Sequence, residues 1–220
     1  MRMSSISFQS RTFKIRSFRA ATFQTRLFPG SAAGLFASLI PVLLILGMPL
    51  LPVSPQSTHI QAQERPSETI RRSPNAVVGQ TIGTTQVTIT YGRPSVRDRE
   101  VFGTLVPFDA VWRTGADEAT TISFSKDVTV EGEPVAAGTY GLFTIPRESG
   151  AWTVILNRTA NQWGAYRYDP SQDVLRVDVT PEKAPHMEQM IFLFETVEGR
   201  TGKAVLHWND VRLPVRIDES

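Results

Sequence analysis

The sequence predicts an all-β protein, a single antiparallel β-sandwich of the jelly-roll kind with about nine strands. Apolar residues alternate with polar ones in short segments, as Val87, Ile89 and Tyr91 do. Residues typical of turns separate these segments. Beyond residue 62 no stretch of helix length is amphipathic, because the apolar positions repeat every second residue. Helices between strands, which would indicate a parallel sheet, are therefore not expected.

The chain begins with a basic, Ser-rich stretch, followed by an uncharged apolar run at 31–53. This order is typical of a secretory signal, and a cleavage site follows Ala62. The run is also long enough to span a bilayer, so an uncleaved anchor helix is the alternative. We therefore expect residues 1–62 to be a signal peptide or an N-terminal membrane anchor. The protein is then periplasmic or secreted, and it meets a membrane only through an uncleaved anchor.

Residues 63–75 are polar and rich in Pro and Ser, which predicts a flexible linker before a β-sandwich domain at 76–220. Met190–Phe194 is apolar on both faces and predicts a central, doubly covered strand. Pro214 marks the last strand as an edge or a bulge. A short helix would fit within 96–105 or 181–189. The predicted strands lie at 86–91, 121–125, 128–130, 139–145, 152–157, 175–179, 190–194, 203–208 and 211–217.

Charge and cysteine usage exclude several classes of function. The whole chain carries a formal charge of +2, but the first 62 residues hold six basic side chains and no acidic one. That leaves 17 of the 23 basic residues against all 21 acidic ones, a charge of −4 for residues 63–220. An acidic domain does not fit a nucleic-acid partner. The chain has no cysteine, which excludes disulfides, thiolate catalysis and cysteine-based zinc sites.

No motif in the chain predicts a metal site, a cofactor or a nucleophile. Beyond the leader there are two histidines, His186 and His207, and they stand far apart. Ser123 and Lys126 have SxxK spacing, but that motif needs a helix start and here it lies in an alternating strand. The GxSxG, GxGxxG and Walker patterns are absent. We therefore expect no metal, no cofactor and no catalytic residues.

A glycosidase-like carboxylate pair is the remaining catalytic alternative. Its candidates are Asp117, Glu118 and Asp173, and the chemistry needs two carboxyl groups about 5–10 Å apart. Asp117 and Glu118 are adjacent, so on an extended chain they would point to opposite sides and form a poor pair.

The segment 91–121 reads YGRPSVRDREVFGTLVPFDAVWRTGADEATT and predicts a long, shaped loop. Its guanidinium groups suit carboxylates and phosphates, which makes it a candidate site for an anionic or polar ligand. Glu118 follows Arg113 across a glycine, so a turn could pair them. The alternative is a structural ion pair that only pins the loop. The candidates here are Arg93, Arg99, Trp112, Arg113, Asp117 and Glu118.

The segment 157–168 places aromatic and amide side chains together. Aromatic faces beside amides suit sugar rings and other flat polar ligands, so a small polar or carbohydrate ligand is the expected partner. The alternative is a hydrophobic plug over one end of the domain. The candidates are Asn157, Gln162, Trp163 and Tyr166. Asn157-Arg158-Thr159 also matches a glycosylation acceptor, a motif too short to be specific.

Several motifs in a fixed order carry a family resemblance: YGRPS, VWRTGA, AAGTYGLFTIP, WTVILN, QWGAY and DVLRV. In this order they resemble the bacterial domain-of-unknown-function family 2911 over roughly residues 73–218. Asp117 stands where the family pattern has Asn, which adds a negative charge. Many members of that family are exported. The resemblance implies a shared fold and a shared site, and it supplies no reaction.

The favoured function is a non-catalytic ligand- or partner-binding module built from the 91–121 loop and the 157–168 segment. In it Arg93, Arg99 and Arg113 would hold anionic groups, and Glu118 would orient Arg113. The alternatives are a glycan-directed hydrolase and a purely structural envelope protein.

Overall fold

The described part of the chain is all-β and antiparallel, as predicted. The computed structural model describes Arg65 and residues 68–220, so the predicted signal peptide or anchor helix lies outside the described residues. The described part has no helix with the length and hydrophobicity needed to cross a bilayer. Ten strands form two sheets, and one 3-10 turn at Pro170–Gln172 precedes the eighth strand.

The larger sheet has six strands in the order β1-β2-β3-β6-β7-β8, and the smaller has four in the order β5-β4-β10-β9. Among the described strands, only β3–β6 and β4–β10 join strands that are not consecutive in sequence. The strands are β1 Asn75–Ile82, β2 Thr85–Gly92, β3 Thr121–Phe124, β4 Val128–Val130, β5 Glu133–Val135, β6 Gly138–Ile145, β7 Trp152–Asn157, β8 Asp173–Val179, β9 Glu182–Glu198 and β10 Thr201–Glu219.

Two of these strands, β1 and β5, were not predicted. In β1 three apolar residues run consecutively at 76–78, so the alternation is lost, yet the strand pairs with β2 along its whole length. The turn that joins β4 to β5 is only two residues long. Glu131 and Gly132 have φ of 52° and 88°, which suits a tight hairpin, and β5 starts at once behind them.

The prediction that Met190–Phe194 is a central strand is wrong. It lies within β9, at the edge of the smaller sheet, and β9 also occupies the place suggested for a short helix at 181–189. The segment 190–194 is apolar for a different reason, because the chain after β2 covers this edge of the sheet. The Val96 amide donates to Glu188 O at 2.8 Å, and the Met190 amide donates to Pro94 O at 2.9 Å.

The last two predicted strands are one strand, β10, which bends. Its register with β9 shifts on both sides of Asn209, whose φ is 54°, as at a bulge. β10 pairs with β9 as far as Arg212 and with β4 from Ile217 onward. Pro214 lies between these stretches, where its missing amide proton breaks no ladder hydrogen bond.

One cluster of buried residues draws side chains from both sheets and from the 93–120 loop. At its centre Trp112 of the loop stacks on Trp208 of β10, with ring centroids 5.9 Å apart and planes 23° from parallel. Phe102 of the loop meets both indoles and that of Trp152 edge-on. The loop is therefore held by aromatic packing to both sheets.

Candidate functional site

The 93–120 loop starts by tying the end of β2 to β9 of the other sheet. The Arg93 Nε donates to Met190 O at 2.9 Å, and the Tyr91 hydroxyl accepts the Phe192 amide at 3.0 Å. Arg93, a predicted ligand residue, is thus engaged by the protein backbone.

The loop returns onto β2 and β6 by close backbone contact. Trp112 pairs with Thr144 of β6, and its indole Nε1 donates to Gly115 O at 3.1 Å. A Cβ placed on Gly92 would lie 2.3 Å from Ala116 O, so only glycine fits there. The backbone is also strained. Thr114, a buried β-branched residue, has a φ of 52°, and such outliers concentrate at functional sites.

A cleft of about 320 Å³ opens between this loop and the segment that precedes β1. We call it the arginine cleft. Four arginines and one carboxylate line it, above a floor that includes both stacked indoles. Its lining residues are Arg72, Ser73, Pro94, Ser95, Arg97, Arg99, Leu105, Val106, Trp112, Arg113, Gly115, Ala116, Asp117 and Trp208.

The arginines of the cleft differ in how far the protein engages them. Arg99 donates to Val96 O and Ser95 O, and Arg97 donates to Arg72 O. The side chains of Arg72 and Arg113 make no hydrogen bond or ion pair with any residue that the structure describes. The Nε of Arg113 is buried as well as unpartnered within that part of the chain. Positive charge in the cleft is therefore largely uncompensated.

The floor of the cleft holds a second donor that is not engaged. Trp208 is 1% exposed, and its Nε1 has no hydrogen-bond partner among the described residues. Buried polar groups are normally hydrogen-bonded, so each exception calls for an explanation.

The predicted pairing of Arg113 with Glu118 is wrong. Glu118 is held by Arg71, with Nη1 to Oε2 at 2.5 Å and Nη2 to Oε1 at 2.8 Å. The Arg71 hydrogen bonds hold the pKa of Glu118 below its usual range, and the same contact raises the pKa of Arg71. Arg71 Nη1 also lies 4.0 Å from Asp117 Oδ2.

The segment predicted as a linker thus supplies contacts to the site. Besides Arg71, Arg65 donates through Nη2 to Ala119 O at 2.6 Å and to Thr90 O at 3.2 Å. Burial lowers the pKa of Arg65. Asn75, the first residue of β1, donates back to Arg65 O at 3.0 Å.

Trp163 lies in a second cleft, of about 350 Å³, with Thr69, Arg71, Arg72 and Asp117. The two clefts share Arg72 and Asp117, so they adjoin. Trp163 is 55% exposed, and its backbone pairs with that of Glu118. Part of the 157–168 segment is therefore near the arginine cleft.

Asn157, Gln162 and Tyr166 line neither of these clefts. Asn157 is fully buried, and its amide group donates to Asp169 O and Asp173 Oδ1 and accepts from the Thr159 amide. It therefore braces the turn after β7. Gln162 is buried and donates to Thr159 O, while Tyr166 is 85% exposed.

The three candidate carboxylates are in different surroundings. Asp117 lines the arginine cleft, and Glu118 is paired with Arg71. Asp173 accepts from Tyr168 at 2.6 Å and from Arg176 at 2.8 Å. Burial and then the bond to Asp173 raise the pKa of Tyr168 to about 12. Among the described residues, no group of three or more His, Asp and Glu could hold a metal ion.

Sequence reasoning missed Arg72, Ser73, Arg97 and Trp208 as parts of the cleft. Arg72 and Ser73 lie in a segment whose composition predicts a linker. Trp208 lies in a strand 96 residues after Trp112, so no local pattern connects the two. Arg97 lies between Arg93 and Arg99, which were both predicted as site residues, so its position in the sequence could have identified it.

Comparison with known proteins gives a family. A family model described as "Protein of unknown function (DUF2911)" matches residues 73–217. No curated protein and no solved structure matches the chain. The matched span begins at Ser73 of the cleft and ends in β10, so it contains the loop and the indole floor. This chain is a member of the DUF2911 family.

Proposed function

We propose that this protein is a non-catalytic binding module whose arginine cleft captures a small anionic ligand. One observation carries the proposal. Arg72 and Arg113 line a cleft with no hydrogen bond or ion pair to any described residue, and the buried Nε of Arg113 is among the unpartnered atoms.

A purely structural role would leave this arrangement without an explanation. Buried arginine nitrogens are normally paired, because leaving one without a partner is destabilising, and the Nε of Arg113 is buried without a partner among the described residues. Glu118, five residues after Arg113, is engaged by Arg71 instead. A carboxylate or phosphate would satisfy the guanidinium group in its preferred two-point geometry.

The hydrolase alternative is less well supported than binding. It needs two carboxyl groups on one cleft, and Glu118 and Asp173 are taken up by Arg71, Tyr168 and Arg176. A sugar ligand also has less support than an anion, because Tyr166 and Asn157 do not join Trp163 at its cleft.

The two sheets would form a face-to-face sandwich, since one buried cluster contains residues of both. The predominance of hairpin connections favours a simple sandwich over interleaved jelly-roll strands.

The basic and apolar start of the chain supports export to the periplasm or beyond. Cell fractionation and N-terminal sequencing test this, and a mature chain starting at Gln63 would establish cleavage after Ala62.

A thermal-shift screen of the full protein against carboxylates, phosphates, nucleotides and sugars tests the binding proposal. A ligand at about 100 times its Kd stabilises by about 2.7 kcal/mol, which raises Tm by about 5–10 °C. We expect anions to give this shift and neutral sugars to give none.

Arg113→Ala should abolish the shift, with Arg167→Ala as the matched control, because Arg167 is exposed and outside the arginine cleft. An Arg113→Ala protein that binds as the wild type does, yet melts much lower, would show that the residue is structural. The absence of a shift with every anion would reject the proposal.

A further inference from the structure

We infer that the ligand of the arginine cleft is an organic anion with an apolar body, a carboxylate or phosphate ester rather than an inorganic anion. This inference rests on the proposed function and narrows it to a chemical class. It follows from how charge and apolar surface are distributed around the cleft.

The charged groups of the cleft come mostly from the chain on either side of its mouth. Arg97 and Arg99 belong to the loop after β2 and are exposed, and Arg72 is exposed on the segment that precedes β1. Arg113 is half-buried. Against these four guanidinium groups stands one carboxylate, that of Asp117, so a ligand with one or two negative charges is favoured.

The cleft also has apolar lining residues. Val106, Trp112 and Trp208 are each at least nine-tenths buried in the protein, and Leu105, at 40% exposure, is the apolar lining residue that reaches solvent. An inorganic phosphate would satisfy the arginines and leave Leu105 against water. An anion that also carries an alkyl or aryl group would cover both parts, as small-molecule sites that pair apolar walls with a few polar groups do.

The size of the cleft agrees with such a ligand. Its volume of about 320 Å³ is at the lower end of the range of roughly 300–1,000 Å³ that is usual for small-molecule sites. Each methylene group moved from water to an apolar wall should raise affinity about fourfold. An apolar body of a few carbon atoms would therefore raise affinity by about tenfold or more.

Calorimetric titration of the full protein with matched probes tests this inference. Acetate and hexanoate share a head group, as do methyl phosphate and phenyl phosphate, and each pair differs only in its apolar body. We expect hexanoate and phenyl phosphate to bind at least about tenfold more tightly than their small counterparts. Comparing the two pairs shows which head group the arginines prefer.

Leu105→Ala separates the apolar lining from the charged mouth. Because Leu105 is partly exposed, its truncation should leave the fold intact, reduce hexanoate affinity about threefold or more and leave acetate affinity unchanged. Val77→Ala is the matched control, since Val77 is 54% exposed on β1 and outside the cleft. It should change neither affinity.

The outcomes distinguish this inference from the proposed function. If acetate and hexanoate bind equally and both require Arg113, the anion site stands and the apolar body is rejected. If the gain of hexanoate survives Leu105→Ala undiminished, the apolar lining assigned here is wrong. If none of the four probes binds, the inference fails, and the proposed function fails with it when every anion of the thermal-shift screen is also without effect.

Discussion

Arg71 and Glu118 form a two-point ion pair that fastens the segment before β1 to the long loop after β2. Two nitrogen–oxygen contacts of 2.5 and 2.8 Å join them, and their side chains are 18% and 21% exposed. Arg72 and Ser73 follow Arg71 directly and line the arginine cleft. The ion pair thus holds one wall of the cleft against the other.

Glu118→Gln should remove stability in a pH-dependent way. The pKa of Glu118 is lowered in the fold by Arg71, so its contribution is present above the unfolded pKa of about 4.3 and is lost as pH falls through the folded value. A partly exposed pair of this kind contributes about 1 kcal/mol, or about 2–4 °C in Tm.

Melting curves from neutral to acidic pH check this prediction. The wild type and Glu118→Gln should differ at pH 7 and converge in acid, while Glu148→Gln, at an exposed position, should follow the wild type throughout. A Tm difference that is independent of pH would contradict the assignment.

Asp117→Asn should raise the affinity of the cleft for anions. Asp117 has a φ of 62°, a conformation that Asn also tolerates, so the backbone should be unaffected. The change removes the one carboxylate among the lining residues, and the lost repulsion should strengthen binding about three- to tenfold at low salt.

Titration of hexanoate into both proteins at low and high salt measures the effect. The gain should shrink as salt rises, because screening weakens the repulsion that the carboxylate exerts. Weaker binding to the Asn variant would mean that Asp117 contacts the ligand as an acceptor.

Asn157→Ala should destabilise the fold without changing ligand affinity. Asn157 is fully buried, and its loss would leave Asp173 Oδ1, Asp169 O and the Thr159 amide each short of a partner. We expect a loss of about 3 kcal/mol in the free energy of unfolding, or roughly 6–12 °C in Tm. A changed Kd with an unchanged Tm would instead show that Asn157 contributes to ligand binding.

Gly92→Ala should destabilise the contact between the end of β2 and the returning loop. The added Cβ would meet Ala116 O at 2.3 Å, so either β2 or the loop must shift, at a cost of about 3 kcal/mol. Gly79→Ala is a matched control on the edge strand, where the nearest atoms lie at an ordinary 3.7 Å. Urea denaturation of both variants measures the difference, and equal midpoints would contradict the close contact.

Local patterns in the sequence predicted the strands that alternate clearly, such as β2 and β7, and the location of the long loop. They missed β1, because consecutive apolar residues and Gly79 hide its period. They paired Arg113 with Glu118 because the two are near in sequence. In the fold Glu118 pairs with Arg71, which lies 47 residues before it in a segment whose composition predicts a linker. Such distant pairings depend on topology, which a local pattern does not carry.

The chain at 94–96 that opens the long loop also occupies part of the outer edge of β9. An uncovered edge strand offers free amides and carbonyls to other chains, and proteins avoid this to prevent self-association. Displacing the chain at 94–96 would therefore expose a strand edge at which copies could pair. A bound ligand that keeps the loop in place would reduce self-association in concentrated solution as well as raise the melting temperature.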